Sequence, residues 1–146
     1  MTRHSNKRKI ATNLFIGLLI LNLIIELIAS LSILINFPLA AEKGFGIVYT
    51  DDIAILGIGL GSNLALTTSV FLLSTIWTMR SKLEGVILGM TGAGMFILFS
   101  SFNFFQLGET QGLLVDGIRG SLTILFGYMT YKDFKKGKIE NHIILT

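Results

Sequence analysis

Four polar or charged side chains lie within stretches of sequence that are mainly apolar. Glu26, Asn63 and Arg119 each lie near the middle of such a stretch, and Asp116 lies three residues before Arg119. A charged side chain at the centre of a lipid bilayer costs at least about 2.5–3.5 kcal/mol, so such residues face the protein interior and pair with one another. The chemistry open to them is charge pairing, hydrogen bonding, or passage of a proton, an ion or a small solute.

The positions of these residues predict one polar cluster. At a rise of about 1.5 Å per helical residue, Glu26, Asn63 and Arg119 lie roughly 3–5 Å from the midpoints of their stretches, all towards the same side. Asp116 and Arg119 share a helix face because they are three residues apart. We expect Arg119 to bridge Glu26 and Asp116, since a guanidinium group binds carboxylates well, and Asn63 to supply hydrogen bonds. The cluster either holds the helices in register or forms an ion or solute site.

The elements that must position this cluster are four apolar stretches, each about as long as a membrane span, at residues 10–36, 53–78, 84–105 and 111–131. A helix needs about 20 residues to cross a bilayer of ~30 Å, and its backbone groups must bond within the helix there. Of the 146 residues, 51% are hydrophobic and only 14% are charged, whereas soluble domains carry about a quarter charged residues. Short connections make successive helices antiparallel neighbours.

These observations predict an all-α fold, an integral membrane four-helix bundle with antiparallel up-down topology, as a single domain over residues 1–146. In the number and size of its predicted spans the chain resembles small bacterial four-helix membrane families such as the DoxX-like proteins. The resemblance rests on layout and not on a residue motif, so it implies a fold and no functional residue.

Basic residues gather on one side of the predicted spans. Lys43 lies on the other side and Arg119 lies within the fourth span, while the remaining ten of the twelve are Arg3, Lys7, Arg8, Lys9, Arg80, Lys82, Lys132, Lys135, Lys136 and Lys138. Positively charged residues are retained in the cytoplasm. We therefore expect both termini to be cytoplasmic, in a cell membrane (plasma or inner), with the basic tails contacting anionic lipid headgroups.

Glycines recur at four-residue spacing in the second and third predicted spans and lie along the fourth. The candidate packing positions are Gly57, Gly61, Gly85, Gly89 and Gly120. Small residues at this spacing let membrane helices approach closely. They serve either packing within the chain, which the short connections favour, or a homodimer face.

The sequence offers little for enzyme chemistry. It has no cysteine, and His4 and His142, its two histidines, lie in the terminal tails, so a catalytic or metal-binding site at membrane depth is not predicted. Phosphate-binding loops and zinc-protease motifs are absent, and the basic tails belong to no nucleic-acid-binding domain.

We therefore expect a non-enzymatic accessory or interaction protein of the cell membrane, without cofactor or metal, that binds a membrane-protein partner or a second copy of itself. The alternative is a small transporter or a proton or solute conduit that uses Glu26 and Arg119. Transporters are often built from internal repeats, and the absence of a convincing repeat between the two halves of the chain favours the first function.

Overall fold

Four α-helices make up the described part of the chain. The computed structural model describes the backbone of residues 2–39, 42, 51–107 and 110–143, and the side chains of residues 10–39, 42, 61–102, 105 and 113–136. The helices are α1 (Thr2–Leu39), α2 (Asp51–Met79), α3 (Leu83–Leu107) and α4 (Thr110–Ile143), and the described residues form no strand. The prediction of an all-helical chain with four helices is confirmed. Helices α1 and α4 extend beyond the predicted spans into the basic tails.

The connection between α2 and α3 is a tight helix-ending turn. Ser81 adopts a left-handed backbone conformation with a φ of 56°. Its N–H donates to the carbonyl of Thr78 at 2.9 Å, and the N–H of Lys82 donates to the carbonyl of Trp77 at 2.9 Å. This is the hydrogen-bond pattern of a Schellman motif, which satisfies the last carbonyls of a helix and reverses the chain. Helix α3 therefore starts directly alongside the end of α2.

Helix α1 is kinked near its C-terminal end. Asn36 has φ −152° and ψ 79°, which are not helical values, and Pro38 follows two residues later. A proline ring disfavours the helical conformation in the chain before it and removes a backbone donor. The Asn36 side-chain oxygen accepts a hydrogen bond from the N–H of Leu39 at 3.2 Å, so Asn36 caps the short helical segment beyond the kink.

The helices form a closed square in which neighbours run antiparallel. Helix α1 packs against α2 and α4, and α3 also packs against α2 and α4. Between α1 and α4, Asn22 bonds to Thr123, while Glu26, one turn later in α1, bonds to Arg119, one turn earlier in α4. This reversed order of contacts is the signature of antiparallel helices.

Several glycines lie where two helices approach closely. A Cβ atom added at Gly85 would lie 2.5 Å from the backbone nitrogen of Thr78, and one at Gly120 would lie 2.5 Å from the Ile97 side chain. Gly89 faces Ser74, Leu19 and Phe15, and Gly61 lies against Ile33 and Leu34. The surroundings of Gly57 lie outside the described side chains. At Gly85 the neighbour is backbone, so any side chain there forces the helices apart.

The bundle has a small apolar core and an apolar surface. Phe15, Leu19, Phe71 and Val86 form the buried apolar cluster. Large apolar side chains are also exposed on every helix, among them Ile28, Leu66, Leu98 and Ile118, each more than half exposed. Polar side chains, by contrast, are buried at Asn22, Glu26, Ser30, Ser74, Thr75, Thr78, Ser100, Thr123 and Thr130.

Two helical segments are long and apolar enough to cross a membrane when the described residues are considered, Ile10–Leu39 in α1 and Leu83–Phe102 in α3. The predicted insertion of all four helices into a membrane, and the cytoplasmic position of both termini, stay predictions at this point.

Candidate functional site

A group of polar side chains is buried where α1, α3 and α4 meet. We call this group the polar cluster, and its members are Asn22, Glu26, Ser100, Asp116, Arg119 and Thr123. Glu26 lies in the middle of α1, and Asn22 lies one turn before it on the same face. Residues 116, 119 and 123 follow each other at spacings of three and four in α4, so their side chains share one helix face.

Arg119 connects two carboxylates through a single nitrogen. Its Nη2 atom donates to Glu26 Oε1 at 3.2 Å and to Asp116 Oδ1 at 2.6 Å. The exposed fraction of the side chain is 12% for Arg119, 2% for Glu26 and 18% for Asp116. The structure thus brings together three of the four residues that the sequence placed in one cluster. Two carboxylates and one guanidinium give the group a formal charge of −1.

Helix α3 closes the third side of the cluster. The Arg119 guanidinium carbon lies 4.8 Å from the centre of the Phe96 ring, which is a cation–π arrangement that stabilises a desolvated cation. The Ser100 hydroxyl donates a hydrogen bond to Asp116 Oδ2. Both oxygens of Asp116 are therefore hydrogen-bonded, one from its own helix and one from α3.

A second chain of hydrogen bonds joins α1 to α4 one turn away. Asn22 Nδ2 donates to Thr123 Oγ1 at 3.0 Å, and that hydroxyl donates to the backbone carbonyl of Arg119 at 2.8 Å. The Asn22 and Thr123 side chains are almost completely buried, at 1% and 0% exposure. Helices α1 and α4 are therefore joined by two side-chain pairs one helical turn apart, Asn22 with Thr123 and Glu26 with Arg119.

Several buried atoms of the cluster have no hydrogen-bond partner among the described residues. They are Asn22 Oδ1, Glu26 Oε2, Arg119 Nε and Arg119 Nη1. A buried polar group without a partner costs about 1–3 kcal/mol, so native structures contain few of them. Glu26 Oε2 and Asn22 Oδ1 are both hydrogen-bond acceptors, and both belong to the same face of α1.

Asn63 lies apart from the cluster. It is exposed, and it lines a groove of about 80 Å³ between α2 and α3 together with Thr67, Val70, Gly92, Met95 and Phe99. No residue lining this groove belongs to the polar cluster. The sequence prediction did not assign Asn22, Thr123 and Ser100 to the cluster, and these residues supply the hydrogen bonds that it expected from Asn63. It also did not predict the Phe96 ring that lies against Arg119. The signal for two of them is their spacing, since Asn22 lies four residues before Glu26 and Thr123 lies four residues after Arg119.

The fold and site define an all-helical protein, a four-helix bundle that buries a charge cluster between its first and last helices. Comparison with protein-family models, with curated proteins and with solved structures finds no match. The argument for function therefore rests on the residues themselves.

Proposed function

We propose that this chain is an integral protein of the cell membrane that crosses the bilayer four times. The observation that carries this proposal is the inverted polarity of the bundle. Exposed residues such as Ile28, Leu98 and Ile118 are large and apolar, whereas Glu26 and Asn22 are buried. A bundle in water would reverse this arrangement, because a large exposed apolar surface drives aggregation. In lipid the same surface is the favourable one, and charged residues face the bundle interior.

The orientation we propose places both termini in the cytoplasm. Phe15 packs beside Gly89 and Gly127, so the start of α1, the α2–α3 turn and the end of α4 extend from one level towards the same end of the bundle. Ten of the twelve basic residues belong to these three segments, and such residues are retained in the cytoplasm.

Two aromatic side chains support this assignment of the cytoplasmic end. The ammonium group of Lys82 lies 6.0 Å from the centre of the Trp77 ring, and that of Lys132 lies 4.5 Å from the centre of the Tyr128 ring. Pairs of this type suit the membrane interface, where Trp and Tyr are enriched and lysine reaches the headgroups. We propose that the basic end binds anionic lipid headgroups.

Cysteine labelling tests insertion and orientation, and the chain suits it because it has no native cysteine. Single cysteines would be introduced at Ser5→Cys and Asn141→Cys in the tails, and at Thr50→Cys between α1 and α2. We expect a membrane-impermeant maleimide to label only Thr50→Cys in intact cells and all three after permeabilisation. Tail labelling in intact cells would contradict the orientation, and a chain that is monodisperse in buffer without detergent would contradict membrane insertion.

We further propose that the protein acts as a non-enzymatic accessory protein and that the α2–α3 groove is its partner-binding face. Asn63 is a polar residue exposed on an apolar surface, in a groove that Leu66 and Met95 also line. An amide in lipid is stabilised by hydrogen bonds across helices. A membrane-protein partner or a second copy of the chain can supply such a helix.

Photocrosslinking in cells tests this role. A photoreactive phenylalanine analogue at Leu66, which lines the groove, should form an adduct, whereas the same group at Ile118 on α4 should not. Asn63→Leu combined with the probe at Leu66 should reduce the adduct at least several-fold, since the hydrogen bond to the partner is lost. Mass analysis of the adduct separates a second copy from another protein. Equal adducts at both positions, or none, would contradict the proposal.

A proton or solute conduit is the second candidate, and the buried, incompletely paired Glu26 is the observation that favours it. Intramembrane ionisable residues commonly mark such pathways. Purified protein in liposomes would be assayed for proton and solute flux, with Glu26→Gln as the matched control. Flux that exceeds protein-free liposomes and is lost in Glu26→Gln would favour the conduit. Flux equal to that of protein-free liposomes favours the accessory role.

A further inference from the structure

The charge of the polar cluster does not balance. Glu26 and Asp116 are both within hydrogen-bond distance of Arg119 Nη2, so the fully ionised group carries one excess negative charge. Burial of an uncompensated charge is costly, and proteins avoid it by neutralising the group. One bound cation or proton would restore neutrality.

Within the described side chains, no other charged group faces the cluster from the packed helices. Among the described side chains, α2 (61–79) carries none, and α3 (83–102) carries only Glu84, which lies beside the α2–α3 turn. On α1 Glu26 is the only charged residue of 10–39. On α4 the nearest further charge is Lys132, thirteen residues and therefore about 20 Å beyond Arg119. The compensating positive charge must come from outside this set.

The hydrogen bonds indicate where that charge binds. Each oxygen of Asp116 has a donor, because Arg119 donates to Oδ1 and Ser100 donates to Oδ2. Glu26 receives one bond at Oε1, and its Oε2 atom is buried without a donor. Asn22 Oδ1 is a second buried acceptor without a donor. The two residues are four apart on α1, which brings their Cβ atoms within about 5–6 Å.

We propose that Glu26 is a proton-binding site and holds one exchangeable proton on Oε2, which it donates towards Asn22 Oδ1. A single proton removes the excess charge, turns one unpaired acceptor into a donor, and satisfies the other acceptor. Glu26 Oε1 continues to accept from Arg119. A metal ion would instead need several oxygen ligands, and no group of three His, Asp or Glu residues within the described side chains is placed to hold one.

Infrared spectroscopy of the full chain in dodecyl maltoside micelles, whose detergent has no carbonyl group, tests this site. We expect one protonated carboxyl group per chain at neutral pH, seen as its C=O stretching band. The band should be lost in Glu26→Gln and retained in Glu84→Gln, the matched control outside the cluster. Glutamine keeps the acceptor for Arg119 and provides an N–H for Asn22, so this variant preserves the bonds. Absence of the band in the wild type would overturn the proposal.

Isotope labelling secures the result without a substitution. Glutamate labelled at its carboxyl carbon should shift the band in the wild-type chain, and labelled aspartate should leave it unchanged. A shift with aspartate would assign the proton to an aspartate and overturn the proposal. In Asn22→Leu the band should move to higher wavenumber, because the acid O–H loses its acceptor; an unchanged band would overturn the pairing with Asn22. These spectra concern the cluster alone, so their failure would leave the membrane proposal standing.

Discussion

The close contact of α3 with α2 at Gly85 gives a prediction whose size follows from the structure. In Gly85→Ala the new Cβ atom would lie 2.5 Å from the Thr78 backbone nitrogen and 2.7 Å from Trp77 Cβ. Non-bonded carbon atoms are most stable at about 3.5–4.0 Å, so the two helices must separate by about 1 Å. Neither neighbour is the flexible end of a side chain, and the turn at Ser81 holds the hairpin closed.

The expected loss in the free energy of unfolding is about 1–3 kcal/mol. Overpacking of this kind costs about 1–3 kcal/mol. Separation of the helices also weakens the hydrogen bond from the Ser74 hydroxyl to the Gly85 carbonyl, which is 2.8 Å long, and such a bond contributes about 0.5–1.5 kcal/mol. The gain in helix propensity from glycine to alanine, about 0.5–1 kcal/mol, opposes these losses.

Gly94→Ala is the matched control, because it is the same substitution in the same helix. A Cβ atom at Gly94 would have no neighbour within 4 Å, so only the propensity gain of about 0.5–1 kcal/mol remains. Unfolding of the two variants in detergent micelles by denaturant, followed by circular dichroism, should separate them by about 1.5–4 kcal/mol with opposite signs relative to the wild type. If Gly85→Ala proves as stable as Gly94→Ala, the close helix contact is not present.

The charge cluster and the α2–α3 turn give three further expectations. Arg119→Leu should cost about 3–5 kcal/mol, because it leaves the Asp116 carboxylate without its cation and Glu26 without its donor. Adding Asp116→Leu should restore part of the loss, and a double mutant less stable than Arg119→Leu in denaturant unfolding would contradict the pairing. Ser81→Gly should stabilise the chain by about 1 kcal/mol, since a left-handed φ strains residues other than glycine, and an unchanged or lower thermal midpoint would refute this. Ser74→Ala should cost about 0.5–1.5 kcal/mol through its lost hydrogen bond, which denaturant titration against the wild type measures.

The four helices could be predicted from the sequence because long apolar stretches with short polar separations have few structural solutions. Their ends were less predictable. The apolar stretches predict helices that end before the basic tails, yet α1 begins at Thr2 and α4 continues to Ile143. The length of an apolar stretch predicts the length of the buried or lipid-exposed part of a helix. It does not predict how far the helix continues into polar sequence on either side.

The candidate site was predictable where one helix fixed the geometry. Asp116 and Arg119 share a face at any rotation of α4, because they are three residues apart. The prediction for Asn63 rests on its depth and on the line of polar residues that it forms with Thr67 and Ser74, and neither determines how α2 is rotated about its axis. In the structure Asn63 is exposed on the outside of the bundle. Ser100 and Phe96 of α3 contact Asp116 and Arg119 instead, although the predicted cluster contained no residue of α3.

The glycine contacts and the polar cluster become a single argument once lipid is the solvent, as we propose. Apolar side chains gain nothing by leaving lipid for a helix interface, so association depends on close packing and on hydrogen bonds between helices. The α2–α3 pair uses the first device at Gly85, and the α1–α4 pair uses the second at Glu26 and Arg119. Close packing and hydrogen bonding therefore stabilise two opposite helix pairs of the bundle, α2–α3 and α1–α4. The α1–α4 pair joins the first helix of the chain to the last. A chain transferred to water would keep these contacts but expose its apolar surface, so aggregation would precede unfolding there.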